Sequence, residues 1–200
     1  MLAQAQYDAN LPEKAAATIK SLLAHMQSQG GGSDEQRLAA YALGANAASR
    51  AYSAAKSAGN ESAELLTAAR TAMRWLESKE QLTLPLLKLW STTEQWAGAP
   101  AAATNIYIRA SERAPNDFGL LESVVNTAAE QKQLPLALAS LAKRNDAGTI
   151  WYLGKAQFYL AGEERQNGNA EQAMKMLDAA RASFTQSMTK NQAYRDSCEQ

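Results

Sequence analysis

Two hundred residues are enough for one or two ordinary domains with a core of their own. Lys plus Arg number 20 and so do Asp plus Glu, and this zero net charge lacks the electrostatic footprint of a nucleic-acid binder. No stretch approaches the roughly 18 apolar residues of a membrane span, and a 46% hydrophobic fraction led by alanine points to helices packed through small side chains rather than to strands.

Breakers divide the chain into helical runs. Met1 to Asn10 has no charged-then-apolar leader and reads as the tail of a helix that starts without a cap. Asn10-Leu11-Pro12 opens a helix ending near Gln29, with Pro12 in the first turn. Gly30-Gly31-Gly32-Ser33 is a flexible loop, and Ser33 or Asp34 can cap the next helix, which runs to about Ala58. Gly59-Asn60 breaks it, and Ser62 starts a helix that reaches about Gln81. Thr83-Leu84-Pro85 begins one that stops at Ala97-Gly98, and Pro100 begins the next, which stops at Ala114-Pro115. Asn116-Asp117 caps a run to about Gln131, and Leu134-Pro135 opens one ending near Lys143. After the turn from Asn145 to Gly148, two last helices flank Asn167-Gly168-Asn169. Helices alternating with short turns are the layout of helical hairpins.

A spaced frame recurs along these runs. Ala103, Tyr107 and Ala110, followed by Pro115, fall on one helical face because i, i+4 and i+7 lie together. The same frame appears as Ala69, Met73 and Leu76, as Ala137, Leu141 and Arg144, as Ala173, Leu177 and Ala180, and in degraded form as Ala15, Ile19 and Leu22. Ala69, Ala103 and Ala137 stand 34 residues apart, Ala173 follows after 36, and Ala15 precedes Ala69 by 54.

In this frame the chain resembles the tetratricopeptide repeat family, whose period is 34 and whose second helix carries Ala-x3-Phe and then Pro. Gly168-Asn169-Ala170-Glu171-Gln172-Ala173 is similar to the family's turn into that helix, and Gly98 and Lys132 hold the equivalent places before Ala103 and Ala137. The first-helix pattern is weaker. Its positions hold Leu87, Trp90, Ser91 and Glu94, then Leu121, Val124, Val125 and Ala128, then Gln157, Leu160, Ala161 and Glu164, with the family's glycine and tyrosine missing from each.

The resemblance implies an all-α, right-handed superhelical solenoid of antiparallel helix hairpins over residues 1–200. It would comprise a truncated unit (1–29), an irregular long unit (33–82), regular units (84–117 and 118–149) and a long terminal unit (150–200). The uncapped ends suggest a piece of a longer protein. The resemblance also implies a concave surface lined by first helices. The groove positions are then Lys88, Thr92, Gln95 and Trp96, next Glu122, Asn126 and Glu130, and last Lys155, Phe158, Arg165 and Gln166. Some family members clamp a chaperone-tail carboxylate there. Lys88 and Lys155 match that clamp, but Thr92, Ser123 and Tyr159 replace its other residues and argue against it.

Catalytic chemistry finds little to work with. His25 is the lone histidine and Cys198 the lone cysteine, at opposite ends of the chain, so they make a poor nucleophile–base couple. No His/Cys cluster suggests a metal, and adjacent Glu163 and Glu164 point to different helix faces. The Gly30–Ser33 loop lacks the lysine and preceding strand of a phosphate-binding loop. Of Trp75, Trp90, Trp96 and Trp151, Trp96 is the one expected to face a ligand, and Tyr152, Phe158 and Tyr159 form a second aromatic cluster. The leading expectation is a scaffold without catalysis, metal or cofactor that holds a protein or peptide partner in its groove and binds no nucleic acid. The rival expectations are a helical accessory module of a larger enzyme or of a cell-envelope assembly or secretion machine, and self-association through end repeats. The compartment is left open.

Overall fold

The computed structural model describes residues 1–28 and 30–191. Gln29, the expected end of one helix, and Cys198 therefore lie outside the described residues. Ten α-helices run through the described residues, and no strand is present among them. They are α1 (Leu2–Asp8), α2 (Pro12–Ser28), α3 (Asp34–Ser57), α4 (Ala63–Ser78), α5 (Leu84–Trp96), α6 (Pro100–Arg113), α7 (Phe118–Glu130), α8 (Leu134–Leu141), α9 (Ala147–Gln166) and α10 (Ala170–Lys190). Of the two candidates for the α3 cap, Ser33 takes the role. Its hydroxyl accepts from the Gln36 amide while the Gln36 side chain accepts from the Ser33 amide, a reciprocal capping box. Asp117 and Asp146 cap α7 and α9 by single bonds, their side chains accepting from the amides of Leu120 and Thr149.

The turns obey one backbone rule. Gly98, Lys132 and Gly168, which the repeat frame put in equivalent places, have φ of 71°, 55° and 82°. This left-handed conformation lets the chain reverse after each first helix. At Lys132 it is held by a residue with a Cβ, which bears a modest strain that glycine avoids.

The chain divides into two compact units, Met1–Ala99 and from Pro100 onward. The boundary falls between α5 and α6, within the 84–117 segment. In the first unit α2 packs on α1 and α3, α3 on α4 and α5, and α4 on α5. In the second, α6 packs on α7 and α8, α7 on α8 and α9, and α9 on α8 and α10. Most helices thus meet a next-but-one helix as well as a neighbour, as α3 meets α5 and α7 meets α9, so hairpins stack within each unit and bury faces that no hairpin could bury alone.

The frame residues supply those buried faces. Ala69, Met73 and Leu76 are buried, as are Ala103 and Tyr107, Ala137 and Leu141, Ala173 and Ala180, and Ala15 and Ile19. On the first helices Leu87, Trp90, Ser91 and Glu94 are buried, and so are Leu121, Val124, Val125 and Ala128. Alanine lets helices approach closely. Ala15 and Ala16 of α2, Ala47 and Ala48 of α3 and Ala69 of α4 form one cluster. Burial pushes the Tyr107 phenol up to about 12, and the charge of Glu130 pushes in the same direction.

Two polar features hold elements together. In the first unit, Arg70 of α4 donates through Nε and Nη2 to both oxygens of Glu94 on α5, at 2.9 and 2.6 Å, and Trp90 Nε1 donates to the same carboxylate at 3.2 Å. Glu94 is almost wholly buried, so this bidentate pairing is what makes its charge tolerable there. In the second unit, Arg144 donates to the carbonyls of Ser111 and Pro115 and to Asp146. It thereby fastens the end of α6 to the turn before α9.

Candidate functional site

The residues expected to line a groove lie on α5, α7 and α9. None of them is buried, while the opposite faces of α5 and α7 are. Trp96 is 42% exposed and Phe158 54%. Lys88, Thr92, Glu122, Glu130, Arg165 and Gln166 are exposed, and Gln95, Asn126 and Lys155 are half-buried. Lys88, Thr92, Gln95 and Trp96 belong to the first compact unit and the other positions to the second.

Within the second unit the structure brings two of these residues together. Lys155 Nζ of α9 donates to Glu122 Oε1 of α7 at 3.2 Å. The same ammonium lies 5.8 Å from the ring centroids of both Tyr152 and Tyr159. Tyr152 precedes Lys155 by three residues and Tyr159 follows by four, so helical periodicity stacks all three on one side of α9. Phe158 leans on Tyr159, their centroids 6.3 Å apart. The result is a partly sheltered lysine between two phenol rings, held by a carboxylate from the preceding first helix. Such a surface offers ring faces, phenol hydroxyls and spare N–H donors.

The other tryptophans pack. Trp75 stacks on Tyr41 with centroids 4.0 Å apart and an interplanar angle of 13°. Trp90 is buried, and Trp151 meets Phe184 edge-on at 4.8 Å. Among the described residues no group of three or more His, Cys, Asp or Glu could hold a metal ion, and no helix is long and apolar enough to cross a membrane.

The first unit holds cavities that the sequence did not announce. α2 and α3 touch at Ile19 and Gly44, where a Cβ on Gly44 would stand 2.8 Å from Ile19 Cγ2. No residue of α2 beyond Ile19 is buried, and α3 buries nothing before Ala40. The ends of the two helices next to the triple-glycine loop thus carry half-buried and exposed side chains only. One cavity of about 550 Å³ lies between α2 and α4 over α3, lined by Ile19, Leu23, Gly44, Ala48, Ala68 and Ala72 among others. Lys20 and Glu64 form an ion pair among its lining residues. A second, of about 540 Å³, lies between α1, α2 and α3, and His25, Leu22 and Met26 help to line it. A third, of about 290 Å³, sits between Leu23, Arg37, Tyr41 and Trp75. Helical periodicity reveals which face of α2 is apolar. It does not reveal the spaces left on either side of that face.

Comparison with known proteins adds a structural likeness only. No family model matches the sequence, and no curated protein matches it. A solved structure of YrrB, described as a TPR protein with an unusual peptide-binding site, is similar to this chain. The likeness covers 99% of this chain and 89% of that one, at 17% identity and a TM-score of 0.46. The helices, their recurrent frame and the left-handed turns define a tetratricopeptide-like, all-α protein of stacked helical hairpins.

Proposed function

We propose that this protein is a non-catalytic interaction scaffold, and that it holds a peptide segment of a partner against the free faces of its first helices. The observation that carries the reading is the meeting of Glu122 and Lys155, from successive first helices of the second unit, beside Tyr152 and Tyr159. Two stacked helices that present charge, amide and aromatic groups along a shared face suit an extended or helical ligand. Asn126 and Glu130 continue that face along α7, and Gly162 and Gln166 continue it along α9. Lys88, Thr92 and Trp96 give α5 in the first unit a free face of similar chemistry.

The test is to pan a phage-displayed library of random peptides on the full chain and to measure the enriched peptides by fluorescence anisotropy. Lys155→Ala and Tyr159→Ala are expected to weaken them about ten-fold or more, as hot-spot truncations do, with the helical circular dichroism unchanged. A library from which nothing enriches, or enriched peptides that bind both variants as well as the wild type, would sink the reading.

A further inference from the structure

The largest cavity of the first unit has α2 and α4 as walls and α3 as floor. Ile19 meets Gly44 and Met26 lies against Gly32, so α3 runs opposite to α2. Tyr52 bonds to Glu61 and Trp75 stacks on Tyr41, so α3 runs opposite to α4 as well. The cavity is therefore a lengthwise cleft between two helices that point the same way. From Ala16 to Gln27 along α2 it is about 16 Å long, at a rise of about 1.5 Å per residue. Its floor of Gly44 and Ala48 and its walls of Ile19, Leu23, Ala68 and Ala72 are apolar. A volume of about 550 Å³ is that of a small-molecule site.

Two features decide what fits. Lys20 and Glu64 reach across from α2 to α4 and form an ion pair, both side chains exposed and both lining the cleft. Such a bridge bars a helix, about 10 Å across with its side chains, and leaves the space beneath it to a slender chain. The second feature is the end of the cleft nearest the triple-glycine loop. The third cavity shares Leu23, Gln27 and Tyr41 with the cleft and adds Arg37 and Trp75, which stand one helical turn beyond Tyr41 and Thr71. Arg37 is half-buried, donates to the Gly31 carbonyl at 3.2 Å, and pairs with no carboxylate among the described residues. Lys20 and Glu64 offset each other, so among the described residues Arg37 brings the uncompensated charge to these two spaces. Its remaining N–H donors suit a carboxylate, which a guanidinium can hold through two bonds. An extended hydrocarbon of about twelve carbons is about 14 Å long. With a carboxylate at one end, it matches both the length of the cleft and the charge that closes it.

We propose that the α2–α3–α4 cleft and the space beside Arg37 form one binding site for a single-chain aliphatic carboxylic acid, its tail under the Lys20–Glu64 bridge and its carboxylate on Arg37. The site belongs to the first unit and does not rest on peptide binding at the α7–α9 face. Isothermal titration of the full chain with sodium dodecanoate at neutral pH is expected to show a single site with a Kd of about 100 µM or tighter. Hexanoate, with a tail half as long, should bind about 100-fold weaker or more. Dodecyltrimethylammonium, with the same tail and the opposite charge, should bind about ten-fold weaker than dodecanoate or more. Arg37→Gln should weaken dodecanoate about ten-fold or more. Ala24→Phe puts a ring into the cleft from an exposed position of α2, and should also weaken dodecanoate about ten-fold or more, with circular dichroism unchanged. Absence of binding up to about 1 mM dodecanoate overturns the proposal. So does equal binding of the cationic amphiphile, or binding that either substitution leaves untouched. A helical peptide that Ala24→Phe weakens and dodecanoate cannot displace would give the cleft to a partner's helix and overturn the proposal as well.

Discussion

The α2–α3 pair of the first unit and the α9–α10 pair of the second are both built from long helices and end differently. α2 and α3 meet through Gly44 and Ile19, with cavities on two sides of α2. α9 and α10 stay closed along their length. Phe184 lies against Gly154, the Ser183 hydroxyl donates to Gln157 Oε1 at 2.8 Å, and the Ser187 hydroxyl donates to the Ala147 carbonyl at 2.7 Å. Small side chains let helices approach but give them little to hold beyond the crossing. A large ring fitted to a glycine, with a hydrogen bond on each side, keeps a pair in register.

The sharpest way to break this contrast is to truncate a large side chain in each pair. Phe184→Ala should cost about 3 kcal/mol by leaving a void in a closed interface, whereas Leu23→Ala, already beside a cavity, should cost under about 1 kcal/mol. Urea denaturation of the two variants reads the difference directly. Adding a methyl group is the next test. A Cβ at Gly154 would meet the Phe184 ring at 2.9 Å, and that ring is pinned against Trp151. Gly154→Ala should therefore lower stability by about 1–2 kcal/mol. Gly44→Ala also crowds its neighbour, but Ile19 has open space on both sides to move into. With about 1 kcal/mol of helix propensity gained, that variant should be close to neutral in thermal melts. The smallest effect separates two buried serines. Ser187→Ala removes a donor from the Ala147 carbonyl and should cost about 1 kcal/mol. Ser49, buried on α3, has no hydrogen-bond partner for its Oγ. Ser49→Ala should be neutral or stabilising by up to about 1 kcal/mol, and a clear loss of stability there would mean the hydroxyl is satisfied in solution.

Local features were legible in the sequence and relations between helices were not. Pro12, Ser33, Gly59, Pro100 and Asp117 mark where helices start and stop because capping and turn chemistry act over a few residues. The buried frame could be read because a 34-residue spacing repeats the same contacts. Glu94 illustrates the limit. It occupies a packing position of α5, and nothing near it in sequence announces that Arg70, 24 residues earlier, comes to pair with it. The same limit hid the cavities beside α2. Among the groove positions, the sequence placed Glu122 and Lys155 on free faces of their helices. Tyr152 and Tyr159 were legible as an aromatic cluster and flank Lys155 by their spacing along α9, whereas the contact of Lys155 with Glu122 emerged only with the packing of α9 on α7.

Ile19 has a further consequence. It lines both of the larger cavities and stands between them at the point where α2 bears on Gly44. A side chain in that position works as a shared partition rather than as a wall of either space. A shift of that side chain toward one space takes room there and leaves it on the other side, so the two volumes are tied together by one residue.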